Sequence, residues 1–161
     1  MSAADGRNEM KAVAAMYDED DRALVQTIVE TKTPEVSRAQ EIVNFAKGLG
    51  CKRLGIAHCV GVADEAEALE RMLADSFEVT RVDCKVFGLD AGELITGADG
   101  TICNPVGQAK VLADAGTELN IAMGLCLGHD LLLAKHAAAP VTTLTVKDRV
   151  HDHNPISALR V

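Results

Sequence analysis

The chain has 161 residues, enough for one domain with a sizeable buried core and no disulfide framework. Apolar residues make up 48% of it but aromatic residues only 2%, so the core must be aliphatic, as in helices packed on a parallel sheet. The net charge of -8 and the scarcity of aromatic rings exclude nucleic acid as an expected ligand.

The distribution of apolar residues bears on the compartment. The N-terminus has no apolar signal segment, and nowhere do about 18 apolar residues follow one another without a charge. We therefore expect a cytoplasmic protein with no membrane partner. In that reducing compartment the five cysteines are expected to be packing residues, metal ligands or reactive thiols rather than structural disulfides.

Apolar periodicity predicts alternating elements in the first half of the chain. The residue before Pro34 avoids the helical region, which separates the N-terminal helices from the next one. In chain order the predicted elements are one or two helices (8–31), a helix (36–47), a buried strand (53–59), a helix (63–76) and a second strand (77–83).

The second half begins with an irregular stretch over residues 85–102, which carries a short helix near 91–95. Asn104 followed by Pro105 is typical of a helix entrance. The remaining predicted elements are a helix (105–115), a strand (119–125), a helix (131–138), a strand (141–146) and a short helix from residue 155.

Strands that alternate with helices predict a small parallel sheet of four or more strands with helices on both faces. This is a Rossmann-like or flavodoxin-like α/β fold with extra N-terminal helices. We expect a single domain over residues 1–161, with a helical extension over 1–34 and the α/β core over 35–161. The extension has an apolar side that covers the sheet or binds a second copy, so a homodimer is a further expectation.

Four of the five cysteines fall at one edge of this predicted sheet. Cys59, Cys84 and Cys126 each end a strand, and Cys103 precedes a helix that starts at the same edge. Ligands of such sheets bind beyond the carboxyl ends of the strands, and four thiolates suit zinc or an iron–sulfur cluster. We therefore predict a metal site with these four cysteines as ligands, whereas Cys51 precedes the first strand and is interpreted as packing.

Several other groups accompany the thiols at that edge. Backbone amides at glycines can approach sulfur closely, and charged or imidazole groups can exchange protons with a bound small molecule. The candidates for contact with a cofactor are Gly61, Lys85, Asn104 and Gly128; the catalytic candidates are His129, Asp130, Lys147, Asp148 and Arg149.

Two other hypotheses remain open. In the first, Cys126 or Cys59 is the nucleophile of a metal-free thiol enzyme that attacks a small acyl or sulfur substrate, with His129 as base. The Gly-x-Cys-x-Gly pattern at 124–128 has the form of a nucleophile elbow. In the second, the cysteines pack as small apolar side chains in a binding module. A nucleotide cofactor has no support, because the sequence has neither a Walker loop nor Gly-x-Gly-x-x-Gly.

Five segments carry a resemblance to a known family: Leu-Gly-Ile-Ala-His-Cys-Val-Gly (54–61), Cys84-Lys85, Cys-Asn-Pro-Val-Gly-Gln (103–108), Gly-Leu-Cys-Leu-Gly-His-Asp (124–130) and Val-Lys-Asp-Arg (146–149). Over about residues 36–160 the chain resembles a prokaryotic family of unknown function, common in anaerobes and described as metal-binding. Many members carry a cysteine-rich stretch near the N-terminus, whereas no cysteine precedes Cys51 in this sequence.

The resemblance implies that the four interior cysteines, His129 and Asp130 match the family pattern. The anaerobic setting that it implies favours an iron–sulfur cluster over zinc as the cofactor. The expected ligand is therefore a metal ion or cluster, or a small molecule bound next to it.

Overall fold

The computed structural model describes residues 3–160 and divides after Gly50 into two compact units. The first unit holds helices α1 (Ala3–Ala14), α2 (Glu19–Thr31) and α3 (Arg38–Gly48), so the predicted "one or two" N-terminal helices are two. The acidic break separates them because Asp18 caps α2 and forms a reciprocal capping box with Asp21. α3 belongs to this unit, whereas the sequence assigned it to the α/β core; the single-domain organisation stays a prediction.

The second unit contains the sheet and its helices. Its elements are β1 (Arg53–His58), α4 (Ala63–Ala74), β2 (Glu78–Asp83), α5 (Pro105–Asp114), β3 (Leu119–Leu125), α6 (Leu127–His136) and β4 (Val141–Val146). Single 3-10 turns at Val86–Gly88, Ala91–Glu93 and Pro155–Leu159 stand where short helices or irregular chain were predicted. The predicted α/β fold is confirmed.

The four strands are parallel and lie in the order β2-β1-β3-β4. β3 is buried along its whole length and β1 everywhere except Arg53, so these two strands form the centre of the core. From β1 the chain goes first to β2 on one side and then to β3 on the other. The carboxyl ends of β1 and β3 therefore flank the topological switch point, where open α/β sheets form their ligand crevice.

The helices cover both faces of the sheet. α4 packs on β1 and β2, while α5 packs on the same two strands and also against α6, which covers β3 and β4. The right-handed crossover from β1 to β2 runs in the opposite direction to those from β2 to β3 and from β3 to β4, which places α4 on one face and α5 with α6 on the other. Their N-termini consequently meet the strand ends at the edge that carries the cysteines.

α6 begins at Leu127 rather than at residue 131, which corrects the sequence-based boundary. The Cys126 carbonyl accepts hydrogen bonds from the backbone N–H groups of His129 (2.8 Å) and Asp130 (2.9 Å), so Cys126 is the N-cap residue. His129 and Asp130 thus lie in the first turn of the helix instead of in a loop.

Gly55 in β1 has no room for a side chain. A Cβ there would lie 2.2 Å from Asn120 Oδ1 and 2.9 Å from a Leu112 methyl group, and Asn120 Oδ1 is held by the Thr117 hydroxyl at 2.7 Å. We expect Gly55→Ala to lower the free energy of unfolding by about 1–3 kcal/mol, measured by urea denaturation. Gly128→Ala in α6 is the matched control, because nothing lies within 4 Å of its Cβ. Equal denaturation midpoints for the two variants would contradict this account.

Candidate thiol site

Cys59 lies at the end of β1 and forms the centre of the site. Its backbone N–H donates to Met123 O of β3 at 3.0 Å, which fixes it beside the switch point. The Gly61 N–H donates to its sulfur at 3.4 Å, and the Lys147 ammonium group is in direct contact with the same sulfur. Lys147 reaches this position from the end of β4, where its N–H continues the ladder to Leu125 O at 3.1 Å.

Cys84 and Cys103 extend the site toward β2. The Cys103 thiol donates to Cys84 Sγ at 3.5 Å, and the Cys84 thiol lies close enough to Cys59 to help lower the pKa of Cys59. The Asn104 N–H donates to Cys84 O at 2.8 Å and brings the start of α5 against the end of β2. Cys84 is only 1% exposed, whereas Cys103 is half-buried. Three thiols and one ammonium group therefore lie in series: Lys147, Cys59, Cys84, Cys103.

The neighbours of each sulfur shift the pKa values of Cys59 and Cys84 in opposite directions. Burial raises the pKa of Cys59, but the hydrogen bonds from Lys147 and Gly61 and the positive charge of Lys147 outweigh burial, so the net pKa is lowered. Burial is the main cause that raises the pKa of Cys84 to about 11. The hydrogen bond with Cys103 and the charges of Cys103 and Cys59 raise this pKa further, whereas a hydrogen bond from the Val60 backbone lowers it. Cys59 is the favoured thiolate, and Cys84 stays a thiol beside it.

Cys126 has different contacts. The Arg149 guanidinium lies 4.0 Å from its sulfur, and the Cys126 side chain makes no hydrogen bond that caps α6. Its backbone is ordinary extended chain (φ -69°, ψ 154°), not the strained turn that exposes the nucleophile of an elbow. Among the described residues no hydrogen bond joins Cys126 to another thiol, so the structure places three predicted ligands in one series and the fourth beside Arg149.

The loop after β4 is held by Asp148. Its carboxylate accepts hydrogen bonds from the N–H groups of Val150 (2.9 Å) and His151 (3.1 Å) and pairs with the His151 ring at 3.1 Å. Although desolvation raises the pKa of Asp148, these hydrogen bonds lower it on balance. Asp148 therefore shapes the loop that carries Lys147 and Arg149.

The other predicted site residues lie around this series. Asn104 caps α5 through Gly107 N–H (2.8 Å) and holds Val86 O (3.3 Å), and the Lys85 ammonium group donates to Thr101 O at 2.9 Å. Burial raises the pKa of Asp130. In the described part of the chain, the ring of its neighbour His129 makes no hydrogen bond to a thiol. No atom lies within 4 Å of the position that a Cβ would take at Gly128. Of these cofactor-contact and catalytic candidates, Lys147 and Gly61 contact the sulfur of Cys59.

Gln108 was missed by the sequence analysis. The side chain is fully buried in α5 and donates through Nε2 to two backbone carbonyls, His58 O at 3.1 Å and Val82 O at 3.0 Å. His58 immediately precedes Cys59, and Val82 lies two residues before Cys84. It thereby fixes the ends of β1 and β2 relative to each other. Its position in the Cys-Asn-Pro-Val-Gly-Gln segment, one turn after the capping Asn104, was the signal that could have found it.

The sequence-based metal site was tested against this arrangement. Within residues 3–160, no group of three or more His, Cys, Asp or Glu side chains has a geometry that could hold a metal ion. Cys103 hydrogen-bonds to Cys84, and Cys84 in turn neighbours Cys59, so the three thiols lie in series rather than around a common centre. In this arrangement the residues do not fit a preformed iron–sulfur or zinc site, and the metal cofactor stays a prediction.

A large apolar side chain is exposed within a few residues after the end of each strand at this edge. These side chains are Val60 after β1, Phe87 after β2, Leu127 after β3 and Val150 after β4, each at least 50% exposed. Phe87 is also held in the left-handed region with φ 66°. The thiol series is therefore flanked by apolar as well as positively charged groups.

The fold and the site together define an α/β protein with a thiol-lined site at the carboxyl edge of a parallel sheet. The chain belongs to the family described as "Protein of unknown function (DUF1847)", whose model matches residues 2–144. This membership confirms the resemblance to a prokaryotic family of unknown function.

One curated relative is the "Uncharacterized protein MJ0455" of Methanocaldococcus jannaschii, which is 44% identical over 128 residues. That match covers 76% of this chain and 66% of the relative, so the chain spans just under two thirds of the relative's length. No solved structure matches this chain significantly. In the described part of the chain, no helix combines the length and the apolar character needed to cross a membrane.

Proposed function

We propose that this protein acts through Cys59 as a nucleophilic thiolate on a small electrophilic substrate. The observation that carries the proposal is the paired donation to the Cys59 sulfur by the Lys147 ammonium group and the Gly61 N–H. The thiolate, not the thiol, is the nucleophile, and a neighbouring cation is one of the features that activates it.

The position of Cys59 supports this role. It lies at the switch point between β1 and β3, where ligands of such sheets bind. Lys147 stabilises the charge on sulfur before attack and is beside the reacting atom when negative charge moves to the leaving group. In this proposal the positive charge of Lys147 activates the Cys59 sulfur, whereas the thiol-enzyme hypothesis from the sequence used His129 as a base.

Access to Cys59 restricts the substrate. The residue is 7% exposed, and the half-buried Lys147 side chain lies directly against its sulfur. A reagent must displace or pass the flexible Lys147 stem, which favours small molecules over bulky ones.

Alkylation kinetics test the proposal. We expect iodoacetamide at pH 7 to modify Cys59 first, with a rate that rises with pH to a midpoint below about 8.5, the pKa of a free cysteine. Mass spectrometry of peptides identifies the modified residue. Cys59→Ser should abolish the fast phase and Cys51→Ser, which changes a buried thiol outside the series, should retain it. A fast phase that survives in Cys59→Ser overturns the proposal.

The predicted iron–sulfur cluster or zinc ion is tested on the same anaerobic preparation by visible absorption and elemental analysis. A metal bound through Cys59 would protect this thiol from iodoacetamide until a chelator removes the metal. Such chelator-dependent protection would overturn the free-thiolate proposal, whereas metal-free protein with a fast Cys59 supports it.

A further inference from the structure

The groups that touch the Cys59 sulfur indicate what kind of electrophile it attacks. The Lys147 ammonium group and the Gly61 N–H are hydrogen-bonded to the sulfur, and the thiol of Cys84 lies beside it. No imidazole or carboxylate contacts this sulfur in the described part of the chain, so an acyl intermediate would have no adjacent base to activate water. A thiol is instead the group that resolves a sulfur–sulfur bond.

We propose that the substrate of Cys59 is a disulfide, and that Cys84 and Cys103 take up its oxidising equivalents as a reversible disulfide. This inference rests on the proposed function of Cys59 as a nucleophilic thiolate. It assigns a separate role to the two thiols that complete the series.

The reaction proceeds by three thiol–disulfide exchanges. The Cys59 thiolate attacks a substrate RSSR, which forms a Cys59–SR mixed disulfide and releases RS⁻. Cys84 loses its proton and attacks the Cys59 sulfur, which releases the second RS⁻. Cys103 loses its proton and attacks Cys84, which regenerates the Cys59 thiolate. The two thiol protons end on the two RS⁻ groups, so RSSR is reduced to two RSH while Cys84 and Cys103 are oxidised; an external dithiol reverses the oxidation.

The geometry meets the needs of each step. Cys84 is hydrogen-bonded to Cys103 and is the thiol neighbour of Cys59, so it can receive the disulfide from Cys59 and pass it on. The Cys84 and Cys103 sulfurs are 3.5 Å apart and must approach to about 2.05 Å, a movement of roughly 1.5 Å. Cys103 follows the irregular stretch after Cys84 and is half-buried, so its side of the pair has room to move.

The charges of the site order the steps. While Cys59 is a thiolate, its charge helps to keep Cys84 protonated. Formation of the mixed disulfide removes that charge and frees the Lys147 ammonium group, so the acidity of Cys84 increases only after substrate has reacted. Cys84, the resolving thiol, therefore becomes a nucleophile only after the mixed disulfide has formed on Cys59.

The test uses the reduced 161-residue chain and 2,2′-dithiodipyridine, a neutral aromatic disulfide suited to the exposed apolar side chains at this edge. One equivalent should release both thiopyridone groups, which are followed by absorbance. The protein should lose two hydrogens and carry no adduct, and peptide mapping should find Cys84 joined to Cys103.

Variants separate the steps. Cys84→Ser should keep a thiopyridine adduct on Cys59 and release only one group, while Cys103→Ser should trap a Cys59–Cys84 disulfide. A lasting adduct on Cys59 of the wild-type chain, or a disulfide that involves Cys126 or Cys51 instead, would overturn the inference while the function of Cys59 stands. The wild-type measurement decides this even if a variant fails to fold.

The two proposals fail in different ways. If Cys59→Ser forms the Cys84–Cys103 disulfide as fast as the wild-type chain, the dithiol exists without a nucleophilic Cys59 and the proposed function is wrong. If Cys59 reacts rapidly and no internal disulfide follows, only the disulfide inference is wrong.

Discussion

Replacing Lys147 by methionine should slow the alkylation of Cys59 at pH 7 by about tenfold or more. Methionine keeps an unbranched stem but removes the ammonium group, and with it both the hydrogen bond and the positive charge that lower the pKa of Cys59. Burial is then opposed only by the weaker contributions of Gly61 and Cys84, so this pKa rises relative to that of the wild-type chain. Below the pKa, each unit of increase reduces the thiolate fraction about tenfold. The rate constant for iodoacetamide, measured by mass spectrometry at several pH values, gives the shift directly.

The pH profile distinguishes an electrostatic effect from a loss of structure. At a pH above both pKa values, Lys147→Met and wild-type protein should react at similar rates, because both carry the full thiolate. Lys147→Arg keeps the charge and should recover part of the rate at pH 7. Lys110→Met is the matched control, since Lys110 pairs with Asp114 on α5 and contacts no thiol. An unchanged profile in Lys147→Met would show that another group sets the reactivity of Cys59.

The sheet could be read from the sequence because its strands are local patterns. β3 and β4 have the predicted bounds, and β1 and β2 differ from them by one residue at one end. Their apolar runs end at turn signals, so the common edge of the cysteines followed from the parallel arrangement. α6 was placed too late because Leu127, Gly128 and His129 show no helical apolar period, while Cys126 provides the cap through its backbone carbonyl.

The grouping within the site could not be read in the same way. Lys147 lies 88 residues from Cys59 and reaches it past the end of β3, which depends on the order β2-β1-β3-β4. A sequence pattern predicts that parallel strands end at the same edge of the sheet, but it does not predict the order of the strands along that edge. For that reason Lys147 and Arg149 were predicted as equivalent, whereas one contacts Cys59 and the other approaches Cys126. The two hydrogen bonds of Gln108 depend on the same tertiary packing.

The free energy of unfolding should fall at alkaline pH because of Cys84. The pKa of Cys84 is about 11 in the folded chain against an ordinary value of 9.0, so between these values an unfolded chain releases a proton that the folded chain retains. The unfolded state then binds fewer protons, and the free energy of unfolding falls as pH rises. Two units correspond to roughly 3 kcal/mol of stability that is present below pH 9 and lost by about pH 11.

A Cys84→Ser variant isolates this contribution, because serine is nearly isosteric and does not titrate in that range. Urea denaturation with a phosphine reductant should find a constant difference in unfolding free energy between variant and wild type below pH 9. From pH 9 to 11 the wild-type curve should fall toward that of the variant, or below it, by roughly 2–3 kcal/mol. Cys59 contributes in the opposite direction and mostly at lower pH: its folded pKa lies below the ordinary 9.0, so the stability it adds rises as pH approaches 9 and changes little above about pH 10. If the difference in unfolding free energy between the two proteins stayed constant from below pH 9 to pH 11, the pKa of Cys84 would not be raised in the folded chain. Cys84 would then not stay protonated beside the Cys59 thiolate, and the proposed order of the exchange steps would be wrong.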